Sequence, residues 1–418
     1  MEAFFPEILI AYLAGFRQVF SQPSYRLFCG YIAGLLITTG RLTTRSIAKT
    51  AFWIRRGNST WDKFLSSAVW NPNQLIEPLV ELVIDQLGNR LMIANHYVIA
   101  IDSTIVVKAA KKMIGVQRWK NTNQSQIGHH WMIGALLAAI GNRLIAFPII
   151  SRLICGKLSR CAFTVAKTGE TQLTTFFDVA LTVVISITTH LSKAPPVVVA
   201  DAYFSKAPFI TALMKRSIGL VTRLRSDRVG FWDKEQTQRT ELRRWVSQFP
   251  RQTAEVVLYG RSQVIEYVTK DLFLRGIERP VRVLVITTAN KPLILMSTAM
   301  SLTAEQIVEI YAGRFAIELA IRQMKSHLGF CEYQSTVTVG FLRRVQLTCC
   351  ALTIGLVMMI ESKWGFTENG NNFQFSFLDF RRSLRRYVIE RLIGRKFASD
   401  ADLGDKEPEM KSILRLVA

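Results

Sequence analysis

Apolar positions along the chain switch from one period to another. In residues 1–94 they recur at helical spacing through Ile8–Phe20, Phe28–Ile37 and Leu75–Leu91, which predicts a helical N-terminal region. Between these runs, Thr38-Thr39-Gly40-Arg41-Leu42-Thr43-Thr44 reads as a Gly-containing turn and a Thr cap before a new helix. Cations follow at Arg45, Lys49, Arg55 and Arg56, which suits either a helix-turn-helix on DNA or a bundle with a solvated basic face. From residue 95 short runs rich in β-branched residues take over. Tyr97–Asp102 and Pro196–Asp201 each end on an aspartate and predict buried strands of a mixed or parallel sheet. Gly141-Asn142 between Trp131–Ile140 and Arg143–Ile150 predicts a β-hairpin. Helices are expected over Thr171–Leu191, Ser205–Ser217 and Val339–Ile360, a strand over Gly219–Arg225, and β structure over 251–270 and 281–298. The sum is an α/β fold without internal repeats.

One stretch breaks the apolar pattern. Tyr311, Arg314, Glu318, Arg322 and Lys325 fall on one helix face within an arc of roughly 80°. A carboxylate thus stands in a line of cations and a phenol. An ion-paired surface stripe is one reading, with Glu318 and Arg322 as an i,i+4 pair. The two strand-end aspartates give a second. An Asp at such a position is often a turn residue or helix cap. Two of them with a helical Glu can also hold a pair of divalent cations for phosphoryl chemistry, at the strand ends where α/β sheets place their sites.

Composition narrows the partners. The 418 residues carry 53 Lys+Arg against 31 Asp+Glu, a formal net charge of +22 that favours a polyanion. Hydrophobic residues make up 49%, yet Trp131–Ile150 and Phe176–Leu191 are interrupted by charge, and Val345–Ile360 is short for a span. They are expected in a buried core. Met1–Pro6 has no basic segment before an apolar run, so no secretory signal is expected. Cys29, Cys155, Cys161, Cys331, Cys349 and Cys350 lack zinc-ligand spacing and are expected as reduced thiols.

The residues Tyr311, Arg314, Glu318 and Lys325 complete the pattern Y-x2-R-x3-E-x6-K, and Asp201-Ala202-Tyr203-Phe204 and Asp102-Ser103-Thr104 supply two acids in compatible contexts. Over roughly residues 95–360 the chain resembles the DDE transposases of bacterial insertion sequences, in the subgroup that carries this signature. The resemblance implies a ribonuclease-H-like mixed sheet flanked by helices, with a mostly β insertion and a helical N-terminal domain. It implies Asp102, Asp201 and Glu318 as catalytic, metal-binding acids for two Mg2+ ions, with Mn2+ as substitute. It implies Tyr311, Arg314 and Lys325 as DNA contacts; Arg322 shares their face and is counted with them. The partners would be terminal inverted repeats and target DNA, engaged by a homodimer in the bacterial cytoplasm, at the nucleoid, with no membrane.

The domain expectation follows. Residues 1–94 form a DNA-end-binding helical domain, 95–225 and 301–362 the two parts of the catalytic core, 226–300 the insertion, and 363–418 a basic tail. Within the insertion, Trp232, Arg243, Arg244 and Trp245 are candidate DNA contacts, with Trp245 better suited to its core. Lys108, Lys111, Lys112, Arg118, Trp119 and Lys120 suggest backbone contacts beside the first acid. His129 or His130 could orient a ligand or serve a structural role. A nuclease of the same fold without strand transfer, or an inactive DNA-binding relative, fits the same residues.

Overall fold

The computed structural model describes residues 1, 3–109, 113–120, 125–155, 175–287, 292–369 and 372–398. Lys111, Lys112, Cys161, the start of the helix expected from Thr171, and the tail from Ser399 lie outside them.

The N-terminal apolar periods become α1 (Glu7–Ala14), α2 (Gln22–Ile37), α3 (Thr44–Thr50), α4 (Asn58–Ser66) and α5 (Ile76–Leu87). Thr43 caps α3, its hydroxyl accepting from the Ser46 N–H at 3.1 Å. The chain then enters a sheet through β1 (Met92–Ile93), β2 (His96–Val107), β3 (Gln117–Lys120), β4 (Ser125–Ile140) and β5 (Arg143–Ile154). Ile140 pairs directly with Arg143, so Gly141-Asn142 is the expected two-residue turn, and Gly141 takes a φ of 60°. Next come α6 (Phe176–Thr188), β6 (Pro196–Ala200), α7 (Ala207–Met214) and β7 (Gly219–Arg223).

Strand order is β5-β4-β2-β6-β7; β2, β6 and β7 are mutually parallel, and β4 runs antiparallel to both its neighbours, β2 and β5. This is the ribonuclease-H-like mixed sheet. The 226–300 segment continues it: β8 (Val229–Phe231), β9 (Arg239–Glu241), α8 (Trp245–Gln248), β10 (Gln252–Leu258), β11 (Arg261–Leu274), β12 (Val281–Ile286) and β13 (Leu293–Ser297). β13 pairs with β7, Leu295 opposite Arg223, so these strands lengthen the core sheet. Trp245 is fully buried, donates to Thr240 at 2.8 Å and stacks on Trp232 with centroids 5.5 Å apart. Arg243 and Arg244 both pair with Glu241.

α9 (Ala304–Gly313), α10 (Phe315–His327), α11 (Thr338–Ser362), the antiparallel pair β14 (Phe366–Asn369) and β15 (Asn372–Phe375), and α12 (Phe377–Ala398) follow within the described residues. α6 covers one face of the sheet; a Cβ on Gly134 of β4 would lie 2.4 Å from Val183 of that helix, so the two elements meet closely. α10 and α11 cover the other face. α11 is, among the described residues, the helix long and apolar enough to cross a membrane, and 83% of its apolar window is buried inside the fold. Its polar groups are spent within the protein: Thr353 donates to Pro148 O at 2.7 Å and Gln346 to Ile149 O at 2.7 Å.

Three arginines, Arg343 and Arg344 buried and Arg381 partly so, tie the N-terminal helices to this core. Arg343 donates to Leu65 O at 3.0 Å, Ala68 O at 2.7 Å and Trp70 O, closing the C-terminal end of α4. Arg344 donates to Leu42 O at 2.7 Å, and Arg381 of α12 to Leu36 O at 2.9 Å at the end of α2. Part of the basic charge therefore serves carbonyl oxygens.

Candidate active site

Strand pairing sets the first two acids beside each other. In the parallel pair of β2 and β6, Tyr97 lies opposite Pro196 and Ala100 opposite Val199. Asp102 and Asp201 keep that offset (201 − 102 = 99), and neighbouring strands run about 4.8 Å apart. β6 ends at Ala200, whereas β2 continues to Val107 along β4. Asp102 thus lies within its strand, where its parallel neighbour stops, and not at the strand end expected from the sequence. The long antiparallel partner β4 is what keeps β2 extended past it.

Asp102 Oδ1 accepts the Ser103 N–H at 2.7 Å. Burial raises the Asp102 carboxyl to about 6; the charges of Asp201 and Glu318 add to this, while the Ser103 N–H and Arg314 oppose it. Asp201 Oδ1 accepts the Tyr203 N–H at 2.9 Å and caps the turn Ala202–Phe204, so it also fills the ordinary capping role. Its carboxyl is raised by burial, with Glu318 adding and the Tyr203 N–H and Arg314 opposing.

The helix face of the third acid differs from the expectation. Tyr311 lies in the last turn of α9, Glu318 and Lys325 lie on α10, and Arg314 is the turn between the two helices. Arg314 N–H bonds Tyr311 O at 3.1 Å and Ile317 N–H bonds Arg314 O at 3.2 Å, both i→i−3, which tightens the chain there. A Cβ on Gly313 would come 2.4 Å from Leu144 Cδ1, so the joint sits against β5.

Glu318 pairs with Arg314 and not with Arg322. Arg314 Nη1 donates to Glu318 Oε1 at 2.6 Å, while Arg322 is exposed and makes no ion pair among the described residues. Arg314 is only 8% exposed, lying 4.5 Å from the Phe315 ring centre and 5.9 Å from that of Tyr311. Lys325 Nζ donates to Ile105 O of β2 at 3.3 Å. Arg223, exposed at the end of β7, acts on the Tyr311 hydroxyl electrostatically. Sequence reasoning passed over Arg223; its signal was a cation ending the strand that neighbours Asp201.

Other candidates serve the fold. Lys108 Nζ donates to Cys331 O at 2.8 Å and Tyr333 O at 2.7 Å, over the Tyr333 ring at 3.5 Å. His129 is fully buried, its Nδ1 2.7 Å from the Tyr333 hydroxyl and its Nε2 2.8 Å from Ile114 O. His130 is in edge contact with Trp119, centroids 4.6 Å apart. Burial lowers both histidines to about 4.

Asp102, Asp201 and Glu318 offer only carboxylate oxygens and feel one another's charge, a donor set suited to a hard divalent cation. Among the described residues, no three His, Cys, Asp or Glu side chains converge into a ready cage, and one Glu318 oxygen is taken by Arg314. The donor types fit such an ion, and Arg314 competes with it for Glu318.

Residues 16–257, which include Asp102 and Asp201, match the family described as DDE superfamily endonuclease. Residues 170–354, which include Asp201 and Glu318, match the transposase DDE domain. No curated protein matches the sequence. Among solved structures, a piggyBac transposase synaptic complex with hairpin DNA is 12% identical with a TM-score of 0.44, over 99% of this chain and 84% of that one. On the strength of the family match, which spans more than half of its length, the chain belongs to the DDE superfamily of endonucleases and transposases.

Proposed function

We propose that the protein is a transposase that cuts DNA at transposon ends and joins them to target DNA, with Asp102, Asp201 and Glu318 as the metal-binding catalytic acids. The observation that carries this reading is the common offset of Asp102, within β2, and Asp201, just past the end of the parallel β6, with Glu318 within electrostatic reach of both.

Asp102 and Asp201 would hold the divalent cations, two Mg2+ or Mn2+ in their place, and Glu318 would complete the set. When bound, such ions acidify the attacking hydroxyl and neutralise the leaving oxygen. The chain's own residues do the rest. Arg314 and Lys325 face phosphates flanking the cut, Arg322 extends the cationic face outward, and Tyr311 offers its hydroxyl to a phosphate oxygen. The net charge of +22 draws in the DNA backbone. A homodimer bound to paired inverted repeats, in the bacterial cytoplasm, would bring two such sites together on the ends.

The test is divalent-cation-dependent cleavage and joining of labelled DNA carrying the flanking element's ends, wild type beside Glu318→Gln. Products that vanish in the variant support the reading. Hydrolysis without joining in the wild type would make the protein a nuclease of this fold. Binding without either reaction would make it a DNA-binding relative whose carboxylates are structural.

A further inference from the structure

We propose that Arg314 governs when Glu318 joins the divalent-cation centre: its guanidinium holds the Glu318 carboxylate until a DNA phosphate takes the guanidinium away. The inference rests on the carboxylate reading above and adds an ordering of ligands to it.

Three observations carry the inference. First, the Arg314–Glu318 contact, at 2.6 Å, engages the carboxylate that an ion at this site would need. A charge-assisted bond of that length is a direct competitor for the same lone pairs. Second, the guanidinium is under-satisfied. Its Nε is buried and has no hydrogen-bond partner among the described residues. Two aromatic rings, Phe315 and Tyr311, stand against it; the Tyr311 hydroxyl engages the guanidinium, and Nε itself is left without an acceptor. A phosphate presents two oxygens at the spacing of the Nε–Nη2 edge, which Glu318, bound at Nη1, leaves open; a phosphate there satisfies the orphaned donor and draws the guanidinium's charge away from the carboxylate. Third, the pairing is selective. Arg322, also four residues from Glu318, stays exposed and unpaired among the described residues. The carboxylate is therefore drawn to the inner cation, which lies close enough to Asp102 and Asp201 to act on both.

Exchange of partners follows from these contacts. Arg314 moves from Glu318 to a phosphate, and Glu318 turns toward the ion shared with the aspartates. No covalent bond is made in the exchange. Each step favours the other, so DNA tightens the ion and the ion tightens DNA by the same factor. An enzyme built this way assembles its cation centre on DNA.

The experiment measures Mn2+ binding to the full chain from the resonance signal of the free ion, with and without a short duplex DNA. Wild type is compared with Arg314→Met, and with Arg216→Met as a control that removes an exposed cation just after α7, outside the site. Without DNA, Arg314→Met is expected to bind Mn2+ roughly tenfold tighter than wild type, and Arg216→Met within about twofold of it. DNA is expected to tighten Mn2+ binding to wild type and to the Arg216 variant, and to change Arg314→Met far less. Arg314→Lys, which keeps a cation for Glu318, should return toward wild type. Arg314→Gln repeats the comparison if the Met variant fails to fold.

Equal Mn2+ affinity in wild type and the Arg314 variants, or equal tightening by DNA in all of them, overturns the proposal while leaving the carboxylate site intact. Mn2+ binding that survives Asp102→Asn and Glu318→Gln unchanged removes the carboxylate site itself, and the proposal falls with it.

Discussion

Asp102 and Asp201 keep the offset of the parallel strands β2 and β6, with Asp201 one residue past the end of β6, and burial raises both carboxyls. The site thus carries a standing electrostatic cost when its acids are ionised. An Asp whose folded pKa lies near 6, above its unfolded value of 3.8, binds more protons folded than unfolded between those values. Stability is greatest below the lower pH and falls as pH rises through the upper one. Asp102→Asn is expected to stabilise the protein by about 2 kcal/mol at pH 7.5 in chelator, and by little near pH 4. Thermal unfolding at the two pH values checks this; a variant that is less stable at both would show the carboxylate to be structural. The same variant should bind DNA and fail to cut it.

His129 gives the opposite slope. Burial lowers its imidazole from 6.5 to about 4, so it stays neutral in the fold while the unfolded chain takes up a proton. The stability this provides is whole above 6.5 and is lost as pH falls toward 4. For His129→Gln the fall between pH 7 and pH 4 should be shallower by about 2–3 kcal/mol. Denaturant titrations at closely spaced pH would reveal parallel curves if the assignment is wrong.

Arg343 is 5% exposed and serves the carbonyls at the end of α4. Its replacement by Met leaves those oxygens buried without donors and should cost about 3–5 kcal/mol. Arg386→Met, which breaks only an exposed pair with Glu390, should be near neutral. Comparable midpoints in a urea titration of the two variants would count against the capping role.

Lys325 lies against β2 beyond Asp102, and the proposed function has it meet the DNA backbone. Lys325→Ala is expected to weaken DNA binding across sequences and to reduce the slope of log affinity against log salt by about 1. Fluorescence anisotropy at several salt concentrations reads that slope directly. An unaltered slope would confine Lys325 to its bond with Ile105.

Much of the framework was legible before folding. The β-branched runs before Asp102 and Asp201, the hairpin at Gly141-Asn142 and the Thr43 cap all depend on residues close in sequence, where periodicity and turn chemistry act directly. The two aspartates stood out as acids ending apolar runs, and Glu318 as a carboxylate set in a line of cations.

The chain alone determined which residues could carry phosphoryl chemistry and which segments would be buried. Tertiary structure decided how they are used. It set Asp102 beside Asp201 by strand register, gave Glu318 to Arg314 in place of Arg322, and broke the signature helix at Arg314 where Gly313 meets Leu144. It also turned Arg343, Arg344, Arg381 and Lys108 toward backbone carbonyls. A cation's charge is fixed by its side chain. Whether it meets a phosphate, a carboxylate or a helix end depends on what packing brings within 3 Å of it, often from a few hundred residues away along the chain.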